Sequence, residues 1–252
     1  MKQLLLSTLA IILTLSLSAQ KEGTINYVRV TQLKIEAPKG MEEMFKNMPK
    51  EQSSEKVLLY SGKKSIYMNP DDKIGNDDNV VNLGDDNMQI KIDFQEPEEK
   101  LYLDLESSTS LHQQEFMGKQ FLVNGEPRKM DWKLGKGKKK IADYICMEAT
   151  TMVEDTIAVT AWFTPQIPVS IGPNGYGGLP GMILQIDRAN GEQIITATDV
   201  DMEAPNMELI VEPTKGKKIS EDQYEKVVAE KMAEMKATRS AGGGATFIEI
   251  RQ

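Results

Sequence analysis

The chain has one histidine, His112, and one cysteine, Cys146, among its 252 residues. A zinc site built from histidine and cysteine needs three or four such ligands, so these two residues are too few. An intramolecular disulfide has no second cysteine, and a Ser-His-Asp or Cys-His arrangement would have to use His112. The sequence therefore predicts a non-enzymatic protein with no catalytic residues, no metal and no cofactor.

Long apolar runs are also scarce, and the one at the N-terminus is short. Leu4–Leu17 follows a single positive charge at Lys2 and is mostly apolar over 14 residues, the size of a signal-peptide core and too short for a comfortable membrane span. Small residues follow, and we expect cleavage after Ala19; the alternative is an uncleaved N-terminal helix. No cysteine follows the run, and no later segment is long and apolar enough to cross a membrane. We expect an exported chain without a transmembrane span.

The chain has fewer basic than acidic side chains, 30 against 38. The net charge is −8, and loss of Lys2 with the leader takes it to −9. Such a chain repels nucleic acid and anionic membrane surfaces on average, so we expect no nucleic-acid partner. Cys146 lies in an apolar stretch and is predicted to be a buried, inert thiol, with an intermolecular disulfide or a reactive thiol as the alternative.

Period-two alternation of apolar and polar residues dominates the remainder. It is unbroken over 88–94, and clusters of Gly, Asn, Asp and Pro separate the runs, which is typical of antiparallel strands solvated on one face. The predicted fold class is mainly β, a curved antiparallel sheet or open barrel. The other predicted strands are Gly23–Val30, Val57–Tyr60, Ser65–Met68, Leu101–Leu105, Ile141–Thr151, Ile157–Phe163, Gly181–Asp187, Gln193–Val200 and Glu208–Val211.

Two helices interrupt this pattern. The stronger is an amphipathic helix over Glu221–Arg239, where Ser220 and Gln223 form a capping box. The weaker covers Met41–Met48. The expected division is a leader at 1–19, a single β-rich domain at 20–240, and a glycine-rich linker with a terminal strand or tail at 241–252.

Several candidate sites have a simpler structural interpretation. The acidic tract 69–87 does not fit a calcium-binding EF-hand loop, so we expect a solvated loop. Methionine pairs such as Met41–Met44 resemble copper ligands, but they also fit apolar helix faces or adaptable ligand-binding grooves. Lys136–Lys140 is predicted to be a polar hairpin connection, with an acidic-partner patch as the alternative. His112 is predicted to lie on a strand surface.

One segment differs from the others in composition. Gly172–Gly181 contains five glycines and two prolines in ten residues, flanked by apolar residues on both sides. Glycine permits positive φ and close backbone approach, while proline fixes φ. The pattern predicts a well-determined irregular loop, interpreted either as a corner between two core strands or as a loop that binds a ligand or partner.

These residues resemble the GLPGLI family of exported proteins from Gram-negative bacteria, whose motif stands here as Gly178-Leu-Pro-Gly-Met-Ile183. Further matching positions include Trp132, Tyr144–Cys146 and Ala161–Trp162. The resemblance implies a location in the periplasm or at the outer membrane, and a fold similar to periplasmic lipoprotein carriers. The family motif and candidate binding loop comprise Trp162, Pro168, Gly172, Pro173, Tyr176, Gly178, Leu179, Pro180, Gly181, Met182 and Ile183.

The expected function is that of an exported, non-enzymatic envelope protein that binds an apolar small molecule or an envelope protein. The β-rich shell, the methionine-rich helical faces and the scarcity of catalytic groups favour it. The alternative is a structural or interaction module that docks another envelope protein through the Gly/Pro-rich loop.

Overall fold

The computed structural model describes residues 21–35, 43, 46, 48–70, 80–85, 88–93, 97–240 and 248–249. Within these ranges no helix combines the length and the apolar character needed to cross a membrane. Strands dominate, with one long helix, α1 (Glu221–Ser240), and short 3-10 turns at Pro173–Gly175 and Met207–Leu209. In chain order the strands are β1 (Glu22–Gln32), β2 (Lys34–Ile35), β3 (Glu51–Ser61), β4 (Lys64–Met68), β5 (Val80–Asp85), β6 (Met88–Asp93), β7 (Lys100–Asp104), β8 (Thr109–Phe116), β9 (Lys119–Gly125), β10 (Lys133–Ile141), β11 (Tyr144–Val153), β12 (Ile157–Thr164), β13 (Met182–Arg188), β14 (Gln193–Asp201), β15 (Lys217–Ser220) and β16 (Ile248–Glu249).

Twelve of these strands form one sheet, in the order β10-β11-β12-β13-β14-β1-β3-β4-β7-β8-β9-β15. Neighbours pair antiparallel except β9 and β15, which pair parallel and make the sheet mixed. Strand β10 contacts β14 although three strands lie between them, so this half of the sheet is strongly curved. Among the described strands β10 and β15 are the two edges, so the sheet is open. The predicted mainly β class with a C-terminal helix is confirmed.

The core covers both faces of the central strands. Ile25 and Tyr27 of β1 point with Leu58 of β3 into the larger apolar cluster. On the opposite face Val57 and neighbouring side chains pack against Ile210, from the segment after β14. The prediction of a sheet solvated on one face is therefore wrong for β3, whose residues 56–60 are all buried. A continuous apolar run in a short strand is typical of burial on both faces.

Helix α1 begins as predicted. The backbone N–H of Ser220 donates to Oε1 of Gln223 (3.1 Å), and the Gln223 N–H donates to Oγ of Ser220 (3.3 Å), which completes the capping box. The ring of Tyr224 packs edge-on against Phe121 of β9, with centroids 5.5 Å apart. The first turns of the helix are thereby fixed to the β9–β15 edge.

Two local assignments from the sequence, one of a loop and one of a strand, are wrong. Residues 136–140 are not a hairpin connection but part of edge strand β10, and the turn follows at Ala142 and Asp143, which have positive φ. Lysine is well tolerated on an edge strand because its charge opposes further pairing. Glu208–Val211 is not a strand: the chain forms a 3-10 turn at Met207–Leu209, which the Asn206 side chain caps by accepting a hydrogen bond from the Glu208 N–H.

Some predicted features lie outside the described residues. They are the leader at 1–19, most of the helix at 41–48, residues 71–79 and 86–87 of the acidic tract, and the linker at 241–247. Within the tract, Val80–Asp85 pairs with β6 in a two-stranded ladder. Within the C-terminal tail, Ile248–Glu249 pairs with β2.

Candidate functional site

The Gly/Pro segment, residues 165–181 between β12 and β13, folds back over the larger apolar cluster. Its 3-10 turn at Pro173–Gly175 contacts β13 on one side and β4 and β7 on the other. Ile167, Ile171 and Leu179 are each at most 2% exposed and belong to that cluster. The segment therefore fills the interior of the curved sheet with side chains of the chain itself.

Long-range hydrogen bonds fix this segment and the first residues of β13 in place. The hydroxyl of Tyr27 donates to the carbonyl oxygen of Ile183 (2.7 Å), and Nε1 of Trp132 donates to that of Gly177 (2.8 Å). Backbone bonds from the Met182 and Ile183 N–H groups to Ile167 and Ile171 (2.9 and 3.0 Å) close the loop on itself. These carbonyl oxygens are thus hydrogen-bonded although the segment makes no regular strand pairing.

Two glycines of the Gly/Pro segment are required sterically. Gly181 has φ of 154°, and a Cβ there would overlap the Thr164 carbonyl. Gly172 has extended backbone, but a Cβ would come 2.6 Å from Cβ of Ile183. Glycine at these positions allows the segment to lie directly against β12 and β13.

The structure divides the predicted site residues into a buried group and an exposed rim. Trp162 stands apart from both in β12, half-buried, with Nζ of Lys139 lying 4.1 Å from its ring centroid. Three predicted residues, Pro168, Gly178 and Pro180, are exposed. Together with their exposed neighbours Gln166 and Ser170 they form the surface that we call the rim. The buried members are Gly172, Pro173, Tyr176, Leu179, Gly181, Met182 and Ile183.

The structure also contains a charged cluster that the sequence does not reveal, composed of Arg29, Lys56, Glu99 and His112. Oε2 of Glu99 accepts from Nζ of Lys56 (2.9 Å) and from an Arg29 nitrogen (3.1 Å), and its Oε1 lies 3.0 Å from Nε2 of His112. Asn69 joins the cluster by accepting from the Glu99 backbone N–H (2.9 Å). His112 lies on a strand as predicted, but half-buried and held by an acid 13 residues away.

Burial and charge act in opposite directions in this cluster. Burial alone raises the pKa of the Glu99 carboxyl, but Lys56, His112 and Arg29 hold that pKa well below its ordinary value. Burial lowers the pKa of the Lys56 amine to about 8, against the attraction of Glu99. The hydroxyl of Tyr67, buried beside the cluster, has no hydrogen-bond partner among the described residues.

No short motif marks this cluster in the sequence. Its members come from β1, β3, the residue before β7, and β8, and only strand pairing brings them together. The one local signal is Lys56, a charge directly before the apolar run 57–60 of a strand that is buried on both faces.

A pocket of about 570 Å³ opens elsewhere, between β8, β9, β15 and residues 212–214. Its apolar lining is Leu111, Leu122 and Ile219, with no methionine, no aromatic ring and no member of the Gly/Pro segment. In the part of the chain that the structure describes, no three His, Cys, Asp or Glu side chains converge as metal ligands.

Comparisons with known proteins give one family match, to the part of the chain that contains the motif, and structural matches that show the fold. Residues 151–185 match the model of a family described as a protein of unknown function (Porph_ging), a match that spans β12, the Gly/Pro segment and the start of β13. No curated protein sequence matches the chain.

Among solved structures the chain is similar to PNGF-II in two crystal forms. The form in space group P21 has a TM-score of 0.52 and 18% identity, covering 82% of this chain and 33% of that one. The C2 form has a TM-score of 0.51 and 18% identity, covering 81% of this chain and 32% of that one. The chain therefore spans about a third of the length of PNGF-II, and at this identity the likeness shows the fold alone.

Proposed function

We propose that the protein is an exported, non-enzymatic cell-envelope protein of the GLPGLI type that docks an envelope protein through the rim of the Gly/Pro segment. The motif at 178–183 and the family match over 151–185 support this assignment. A leader cleaved after Ala19 and a single β-rich module over 20–240 belong to the same proposal.

The observation that carries the docking proposal is the division of the segment into two sides. Its apolar side chains anchor it in the core, while the rim residues face solvent. Because hydrogen bonds from Tyr27 and Trp132 already fix the backbone, binding at the rim would cost little conformational entropy.

Site-specific photo-crosslinking in cells tests the proposal. A photoreactive residue at Gln166 or Ser170 is expected to capture one specific protein, whereas the same residue at exposed Asp155, in the β11–β12 turn, is not. Tyr176 is unsuitable for this purpose because it is 2% exposed. Identical capture at the rim and at Asp155, or none at either, would contradict docking at the rim.

Export has its own test. The full chain with a C-terminal tag is expected in the periplasmic or outer-membrane fraction, and mass spectrometry is expected to find Gln20 as its first residue. A chain that retains Met1 in the cytoplasmic fraction would remove the envelope assignment.

Binding of an apolar small molecule is the second candidate; what favours it is the group of aliphatic side chains, Leu111, Leu122 and Ile219, in the otherwise mostly polar pocket of about 570 Å³. A ligand that co-purifies with the mature protein, found by native mass spectrometry and lost in Leu111→Trp, would support this candidate. An empty protein that also fails to bind apolar probes would remove it.

A further inference from the structure

The free edge of the sheet at β10 carries a concentration of positive charge in an acidic protein. Residues 128–140 contain seven of the chain's 30 lysines and arginines and one acidic residue, Asp131, although the net charge of the whole chain is −8. All but Lys139 of the seven basic residues are exposed. An uneven distribution of this kind creates a local field that favours an anionic partner.

Few of these charges are neutralised within the fold. Lys140 pairs with Asp143 (2.7 Å), and Lys139 lies over Trp162 and bonds Gln185. In the described parts of the chain, Lys133, Lys136 and Lys138 contact no carboxylate. Three cations thus point to solvent along one strand.

Exposed aliphatic side chains lie at the same edge. Leu134 of β10 is 63% exposed. On the next strand, β11, Ile145 and Met152 are 61% and 54% exposed. Charge alone would suffice to protect an edge strand from aggregation, and large apolar groups work against that protection. Apolar anchors beside charged residues are instead the composition of a binding surface.

The backbone of β10 suits strand addition over its second half. Its register with β11 shifts between Leu134 and Lys138, where the Gly137 N–H donates to Oε2 of Glu148 (3.1 Å). From Lys138 to Ile141 the pairing is regular, and no other described strand pairs with the opposite side of β10. A strand at a sheet edge presents N–H and C=O groups to an incoming extended chain.

We propose that the β10 edge is a second interaction surface, which adjoins the rim where Oε1 of Gln166 accepts a hydrogen bond from the Ile145 N–H (3.1 Å), and which binds an extended acidic segment of another protein by strand addition. The segment pairs with Lys138–Ile141, its carboxylates lie near Lys133, Lys136 and Lys138, and an apolar residue beyond the paired stretch contacts Leu134. Like charges disfavour pairing with the same edge of a second copy, so the lysines select the partner as well as attract it.

Binding of synthetic peptides to the mature protein tests this inference. The probe is a fluorescent ten-residue peptide that alternates glutamate and valine, measured by anisotropy at low salt. The triple variant K133E/K136E/K138E is expected to bind it roughly tenfold or more weakly. The matched control K63E/K119E/K226E, which changes exposed lysines away from β10, is expected to bind like the unmodified protein.

Two further measurements separate strand addition from general attraction. The same peptide N-methylated at alternate backbone positions is expected to lose binding, and amide hydrogen exchange of Lys138–Ile141 is expected to slow when the unmethylated peptide binds. Equal binding of methylated and unmethylated peptides, or of both lysine variants, would overturn the proposal. Binding to anionic vesicles in preference to the peptide, or self-association that saturates the edge, would also overturn it.

Discussion

The hydroxyl of Tyr27, in the first long strand, donates a hydrogen bond of 2.7 Å to the carbonyl oxygen of Ile183, which is 156 positions further along the chain. Ile183 is the last residue of the motif and lies in β13, so this bond ties the end of the motif to β1, at the centre of the sheet. The ring of Tyr27 also packs edge-on against Tyr67, with centroids 6.2 Å apart.

Removal of the Tyr27 hydroxyl is expected to destabilise the protein. In Tyr27→Phe the buried carbonyl of Ile183 loses this donor, which costs about 1–3 kcal/mol of unfolding free energy. Chemical denaturation should show a lower midpoint with an unchanged slope.

Tyr67→Phe is the matched control, since both rings are fully buried and lie in contact. The Tyr67 hydroxyl has no hydrogen-bond partner among the described residues, so its removal is expected to be neutral or slightly stabilising. Equal losses in the two variants would mean that the bond to Ile183 contributes nothing specific.

The two glycines of the motif, Gly178 and Gly181, are expected to differ in their tolerance of alanine. At Gly181 a Cβ overlaps the Thr164 carbonyl, and φ of 154° is reached almost only by glycine, so Gly181→Ala should cost more than about 3 kcal/mol or prevent folding. At Gly178, with φ of 85°, the nearest atom to a Cβ is 3.9 Å away, and only the backbone penalty of about 1–2 kcal/mol applies.

Thermal unfolding of the two glycine variants separates these effects. Gly178→Ala should remain folded with a modestly lower Tm, which also makes it suitable for binding measurements at the rim. If Gly178→Ala were the more damaging variant, the close packing at Gly181 would have no energetic importance.

Lys56 is expected to make stability increase with pH in the alkaline range. Its pKa is about 8 in the folded protein and 10.5 ordinarily, so between these values the unfolded chain binds more protons and deprotonation favours folding. The unfolding free energy should rise by roughly 1–2 kcal/mol between about pH 7.5 and 9.5. Above that range the raised pKa values of Tyr27 and Tyr67 act in the opposite direction.

Lys56→Met provides the comparison for this pH effect. The variant should lose the alkaline rise, because no amine remains to titrate, and should be less stable at pH 7, because Glu99 loses the nearest cation of its cluster. Lys215→Met, which removes an exposed lysine paired with Glu98, should retain the rise. A rise that persists in Lys56→Met would assign the effect to other groups.

Local patterns in the sequence predict the local structure well. The alternation over 88–94 becomes β6, and the Ser220–Gln223 capping box begins α1 at the predicted residue. The wrong assignments also have local causes. The lysine- and glycine-rich composition of β10 favours a loop, but an edge strand accommodates both residue types.

The charged cluster and the interior position of the Gly/Pro segment depend on long-range pairing. Strand β1 lies between β14 and β3, which places Arg29 beside strands that are distant in sequence. Glu99 and His112 meet only because β7 and β8 form a hairpin next to β4. No spacing in the sequence encodes these neighbours. The candidate loop could be identified from its residues, whereas the charged cluster could not.

Cys146 is confirmed as a buried thiol, and it is expected to report on opening of the core. It is fully buried within the larger apolar cluster, and burial raises the pKa of the thiol to about 11, so the reactive thiolate is scarce near neutral pH. Ellman's reagent should therefore label the folded protein far more slowly at pH 8 than the guanidinium-unfolded protein, which should release one equivalent. Tyr27→Phe should accelerate labelling, while Tyr67→Phe should not. Rapid labelling of the folded protein, or a disulfide-linked dimer on a non-reducing gel, would show that the thiol reaches the surface.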